Sequence, residues 1–353
     1  MTNLIIFYGI LLILTLWGCK FSGKKFFAEE SFSKDVTNSV KGVFIWLVFL
    51  RHFPDYVRYK SILDVLGGAI SGVLGQMIVA CFLLYSGYGI FESFKKKGSV
   101  YVRSLPTNRI LKTLIHFDIA VLLFLIIRIA IGKKIMLSQI LFSFIGWKSI
   151  GNSNWYIFVI LMLYLITWLS FNFAKDNIKK AGIWVTALSI VMVVAFYFTR
   201  SSWWYDTILC FVLGVWISIY KDKFLAFITK NNVIWAIAAV MSMASFGLLR
   251  GFNFFVSTNL IDIVNLLTAP VFCIMLIAFL TKVKISNRVL AFSGNYLFEI
   301  YILQRIPLML FKTWGLAKFN MYLYFVVCVV FTVVLAVIFR FLTNKLDKIF
   351  LKN

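Results

Sequence analysis

A lysine and a histidine stand eleven positions apart in the apolar stretch Lys41-Gly-Val-Phe-Ile-Trp-Leu-Val-Phe-Leu-Arg51-His52. Eleven steps of an α-helix make three turns plus about 20°, so both side chains point to one side, roughly 16 Å apart along the axis. Histidine is the side chain best suited to take and return a proton near neutral pH. Lysine brings a fixed positive charge that can hold an anion. Both residues also have plainer uses. A lysine at a helix start anchors topology, and a histidine beside Arg51 at a helix end can simply reach the membrane surface.

Other polar residues stand where apolar ones are expected. Arg109 and Lys112 lie at i and i+3, a spacing that can grip a phosphate or merely form a solvated basic edge. His116 follows one turn later, as a ligand contact or a packed core histidine. Ser86-Gly87-Tyr88 sits inside a long apolar run, where small residues commonly let helices approach closely. Asn152, Asn154-Trp155-Tyr156 and Trp203-Trp204-Tyr205-Asp206 read first as an interfacial aromatic belt. Glu299 and Arg305 share another apolar run, and partnered charges there point to a cavity rather than lipid.

The elements that must carry these residues are membrane helices. Of 353 residues, 62% are hydrophobic and 14% charged, against about 25% charged in soluble domains. Mean hydropathy is +0.93. Four prolines and two histidines exclude a disordered or histidine-rich metal protein. The fold class expected is all-α, a polytopic integral membrane bundle of about ten or eleven helices. Eleven spans are read near 3–19, 39–54, 69–91, 110–131, 154–173, 182–199, 204–220, 232–249, 260–281, 292–311 and 319–341. The first lacks the basic start and small-residue cleavage site of a signal peptide, so it counts as a helix. The five cysteines are scattered through apolar runs and read as small buried hydrophobes.

The net charge of +23 would suggest nucleic acid on a soluble chain. Here it has a topological reading, and no nucleic-acid partner is expected. With the N-terminus outside and the C-terminus cytoplasmic, 24 of the 36 Lys and Arg fall on the inner side, as the positive-inside rule requires. No loop is long enough to hold a soluble catalytic domain, so any chemistry belongs to the bundle.

Four of these segments together resemble the integral-membrane acyltransferase family 3. Lys41-X10-His52 is similar to the family's basic-residue-to-histidine motif. Phe82-Leu-Leu-Tyr-Ser86-Gly87-Tyr88 is similar to its Ser-Gly-Tyr stretch. Arg109-X2-Lys112 is similar to its Arg-X2-Arg pair, and Asn154-Trp155-Tyr156 to its Trp-Tyr helix start. A weaker likeness runs from Gly294 through Tyr301 to Gln304, where many relatives have histidine. Lysine at 41 and 112 keeps the charge of the family's arginines but loses their bidentate fork.

The resemblance implies transfer of an acyl group, often acetyl, onto sugars outside the cell membrane. Cytoplasmic acetyl-CoA or another acyl-CoA would be the donor, and no metal is implied. It further implies that Lys41, Arg109 and Lys112 bind the donor phosphates, while His52 acts as base or acyl carrier. Ser86, Tyr88, Asn154, Trp155, Glu299 and Tyr301 would position the acceptor or orient His52. Membrane lipid and a carbohydrate acceptor are the other expected partners, in the plasma membrane. Residues 1–37 read as an extra helix and basic loop, and 38–345 as the acyltransferase domain. The competing class is a lipid-linked polysaccharide transporter or polymerase. Many transporters carry internal repeats and broken helices, and no repeat is visible in the sequence.

Overall fold

The computed structural model describes residues 4–57, 62–175, 177–252 and 258–350. Its first helices are α1 (Leu4–Leu16), α2 (Lys34–His52), α3 (Ile62–Leu74), α4 (Met77–Lys97), α5 (Ser99–Leu105), α6 (Lys112–Ala130) and α7 (Leu137–Phe144). There follow α8 (Trp155–Phe173), α9 (Ile178–Thr199), α10 (Ile208–Ile219), α11 (Lys221–Ile228), α12 (Asn232–Phe252) and α13 (Thr258–Leu280). The chain closes with α14 (Arg288–Asn295), α15 (Leu297–Leu303), α16 (Arg305–Thr313), α17 (Leu316–Phe319) and α18 (Met321–Phe350).

Among the described residues, eight helical stretches are long and apolar enough to cross a membrane. The expected spans 3–19, 39–54 and 292–311 differ from these, each for a physical reason. Helix α1 is only 13 residues long. Helix α2 begins at Lys34, where the Ser33 hydroxyl caps it by accepting the Val36 N–H, so Lys41 sits two turns inside the helix rather than at its start. The expected span 292–311 is not one rod. It is broken after Asn295 and again after Leu303, giving α14, α15 and α16.

Helix α2 is held in place by backbone contact. A Cβ at Gly42 would fall onto the Leu290 carbonyl of α14, and one at Gly294 onto the Asn38 carbonyl of α2. Trp46 Nε1 donates to Ser293 Oγ at 2.9 Å across the same crossing. A second pair repeats the device: a Cβ at Gly87 of α4 would meet the Phe211 carbonyl, and one at Gly214 of α10 the Leu84 carbonyl. In lipid there is little hydrophobic force between helices, so close approach through small residues supplies the packing. The packing role read for Ser86-Gly87 therefore belongs to Gly87.

One departure from an all-helical chain is a two-stranded antiparallel sheet, β1 (Cys19–Phe21) with β2 (Val283–Ile285). It fastens the loop after α1 to the loop after α13 and puts both basic segments on one face. The Lys95 ammonium donates to the Ser218 carbonyl and Lys112 pairs with Asp347, which joins the end of α4 to that of α10 and the start of α6 to the end of α18. Arg305 and Lys312 reach Asp55 at the opposite end of the bundle. Four of the five cysteines are buried, while Cys19 on β1 is partly exposed. Trp204 is also not a belt residue. It is 6% exposed and shares the Arg200 guanidinium with Trp147.

At so close a crossing, Gly294→Ala should cost about 1–3 kcal/mol through overpacking. The readout is thermal stability of the detergent-solubilised protein, with Gly9→Ala as control because a Cβ there meets nothing. Equal stability of the two variants would contradict the packing.

Candidate functional site

Two cavities lie in succession along the bundle, and α2, α4, α8 and α15 contribute residues to both. The larger, about 560 Å³, is basic at its mouth. Lys41 of α2 enters it, with its ammonium 5.6 Å from the Tyr85 ring. Ser86 of α4 lines it and shares a 3.0 Å hydrogen bond with the Tyr164 hydroxyl of α8. Arg109 comes from a single π-helical stretch, Pro106–Leu111, between α5 and α6. Such bulges are rare and often found at functional sites. Lys112 and His116 follow on α6, and both pair with Asp347 of α18, at 2.6 Å and 2.8 Å.

Glu299 also lines this cavity, but its partner is Arg340 of α18 rather than Arg305. Arg340 additionally donates to the Asn295 carbonyl, which the break between α14 and α15 leaves without a helical partner. Both charges in the 292–311 run are thus partnered, as expected, Glu299 by Arg340 and Arg305 by Asp55.

The smaller cavity, about 190 Å³, holds His52, Trp155 and Tyr301 with Arg51, Asp55 and Gln76. His52 Nδ1 lies 3.7 Å from Asp55 Oδ2, longer than a hydrogen bond but within ion-pair range. Arg305 donates to the same oxygen at 3.1 Å, and its Nε donates to the Tyr56 hydroxyl at 3.1 Å. Burial raises the Asp55 pKa, but the His52 ring and the Arg305 guanidinium outweigh it and hold the carboxyl below its ordinary range.

Two expected site residues stand elsewhere. Tyr88 is turned away from both cavities and stacks on Phe32 at 4.5 Å. Asn154 donates to the Gly146 carbonyl at 2.8 Å and so pins the loop before α8. Gln304, at the family's histidine position, is fully buried and bonds back to the Tyr301 carbonyl.

A family model described as an acyltransferase domain, the acyltransferase 3 model, matches residues 37–341. The chain belongs to the acyltransferase 3 family. Comparison with curated proteins and with solved structures gives no match. As a member of the acyltransferase 3 family the protein is a membrane acyltransferase, which sets aside the transporter and polymerase readings. The match takes in the lining of both cavities except Asn344, and Asp347 also lies beyond it. Helix α1 lies before it and packs on α2 and α3.

Asp55, Arg305, Asp347 and Arg340 complete the site, yet only Arg305 attracted notice in the sequence. Asp55 had a signal that could have found it, standing one turn after His52. Asp347 had none, being 231 positions from His116.

Asp55 sits half in solvent, so its ion pair contributes less than about 1 kcal/mol. The depressed pKa means that this contribution is present above the ordinary carboxylate value and is lost as pH falls through the folded-state value. Thermal stability of wild type should therefore exceed that of Asp55→Asn at pH 6 and converge with it below about pH 3.9. A gap that persists or widens in acid would refute the assignment.

Proposed function

We propose that this acyltransferase moves an acetyl group from cytoplasmic acetyl-CoA to a hydroxyl of a cell-envelope or extracellular polysaccharide. The observation that carries the reading is the division of one set of helices between a basic cavity and a histidine cavity. Lys41, Arg109 and Lys112 face the first, on the side that collects the basic loops. His52 faces the second, at the other end of α2. The positive-inside rule makes the basic side cytoplasmic.

In this mechanism the donor diphosphate rests among the three cations by charge-assisted hydrogen bonds, and Lys112 exchanges Asp347 for phosphate oxygens. The pantetheine arm extends from the basic cavity toward the histidine cavity and presents the thioester to His52. A sugar hydroxyl attacks the thioester carbonyl while the imidazole takes its proton. The C–S bond breaks, an O-acetyl ester forms, and the proton passes from His52 to the departing thiolate. Asp55 faces Nδ1, which leaves Nε2 as the basic nitrogen. Trp155 and Tyr301 wall the pocket that would receive the acceptor hydroxyl. A second route passes the acetyl group through the imidazole itself, with histidine as nucleophile.

His52→Ala should lower transfer by about 10²–10⁴-fold, and Asp55→Asn by less, because the base remains. The readout is the O-acetyl signal in NMR spectra of the host glycan. Wild-type acetylation in the His52 variant would remove the proposed base. Lys41→Ala should raise the acetyl-CoA concentration needed for half-maximal transfer with little change in the maximal rate. An unchanged response to donor concentration would remove the phosphate clamp.

A further inference from the structure

The two cavities do not join, and the material between them is aromatic. The Tyr156 ring of α8 faces the basic cavity and the Tyr301 ring of α15 faces the histidine cavity. Their centroids are 5.1 Å apart, with planes inclined at 57°. Phe82 of α4 closes the third side, its ring 6.2 Å from that of Tyr156. Tyr156 is 6% exposed and Tyr301 2%. On the α2 side, Phe44, Ile45 and Val48 are buried and fill the face of that helix between Lys41 and His52. A solute entering beside Lys112 therefore meets the two tyrosines before it can reach His52.

We infer that Tyr156 and Tyr301 are specificity-determining residues that form a partition between the donor and acceptor cavities. The partition passes a slender acyl-bearing arm and keeps water and bulkier solutes from crossing. This rests on the donor and acceptor reading above. Each tyrosine needs only a rotamer change to let a narrow chain pass, a step that leaves the helices in place. With the arm withdrawn, the rings close again and the histidine cavity opens only to the face that carries Asp55. The consequence is chemical. A thioester beside a general base hydrolyses if water reaches it freely, consuming water and giving acetate and free coenzyme A thiol. A closed aromatic layer keeps that loss small while the acceptor hydroxyl is awaited.

Thiol labelling of the full chain in oriented vesicles tests this directly. Gln76→Cys, in a Cys19→Ser background, puts a thiol in the histidine cavity, and a membrane-impermeant maleimide is applied to one face at a time. With the layer intact, labelling should occur from the Asp55 face and be absent from the Lys112 face. Adding Tyr156→Ala and Tyr301→Ala should make the same thiol reactive from both faces. Tyr156→Phe and Tyr301→Phe keep the rings and should preserve one-sided labelling. Retained labelling from the Asp55 face verifies that each variant is folded. Two-sided labelling of the unaltered layer, or one-sided labelling after both alanines, would overturn the partition. Acetyl-CoA breakdown without acceptor then separates the two ideas. A rise in the alanine variants supports the partition as a barrier on the donor route. Two-sided labelling without that rise leaves a barrier but defeats the donor reading.

Discussion

The backbone contact between α2 and α14 is the constraint on which the rest depends. With Gly42 and Gly294 pressed against opposing carbonyls, the two helices cannot rotate or slide past one another without a clash. That contact directs Lys41 toward one cavity and His52 toward the other. It also sets where the chain beyond Asn295 can run, and so brings Glu299 and Tyr301 beside α8. The equivalent crossing of α4 and α10 fixes Ser86 in the same frame. In a medium where lipid tails solvate leucine as well as a neighbouring helix does, contacts of this closeness are what make one arrangement preferred.

Charge is distributed along this frame in an orderly way. At one end, Arg109 lies open beside Lys112, His116 and Asp347, with Arg340 and Glu299 completing the rim. At the other, the His52 ring and the Arg305 guanidinium both approach the Asp55 carboxylate. Between them the lining is aromatic and aliphatic. The division suits the donor and acceptor proposed above, because charge in the middle of the membrane would be costly. The broken segment α14–α16 serves the same end. Its first break frees a carbonyl for Arg340, and its second starts the helix that carries Arg305 to Asp55.

Much of this was legible in the residues. Apolar runs locate the helices because a backbone in lipid must satisfy its own hydrogen bonds. The spacing of Lys41 and His52 puts them on one helical face, and the structure assigns them to consecutive cavities as helical geometry requires. The start of α2 was harder to read, since Ser33 and Asp35 mark it by capping rather than by hydropathy. Partners from distant helices left no local trace. Glu299 and Arg305 stand out as charges in an apolar run, but their partners, Arg340 and Asp55, come from other segments of the chain. Tyr88, one of the motif residues, faces Phe32, whereas Tyr156 and Tyr301 meet across the centre.

By itself, then, the sequence determined that the chain is a membrane helix bundle of acyltransferase type, with cations and a histidine at stated positions along one rod. The bundle and the rod follow from composition and helical periodicity, which act within a few turns, while the acyltransferase type rests on the resemblance of four motifs to the family. Only the tertiary structure decided which carboxylate each cation meets, that two cavities exist instead of one continuous channel, and that a pair of tyrosines stands between them. These depend on how closely separate helices approach, and that is set by glycines and bulky rings far apart in the chain.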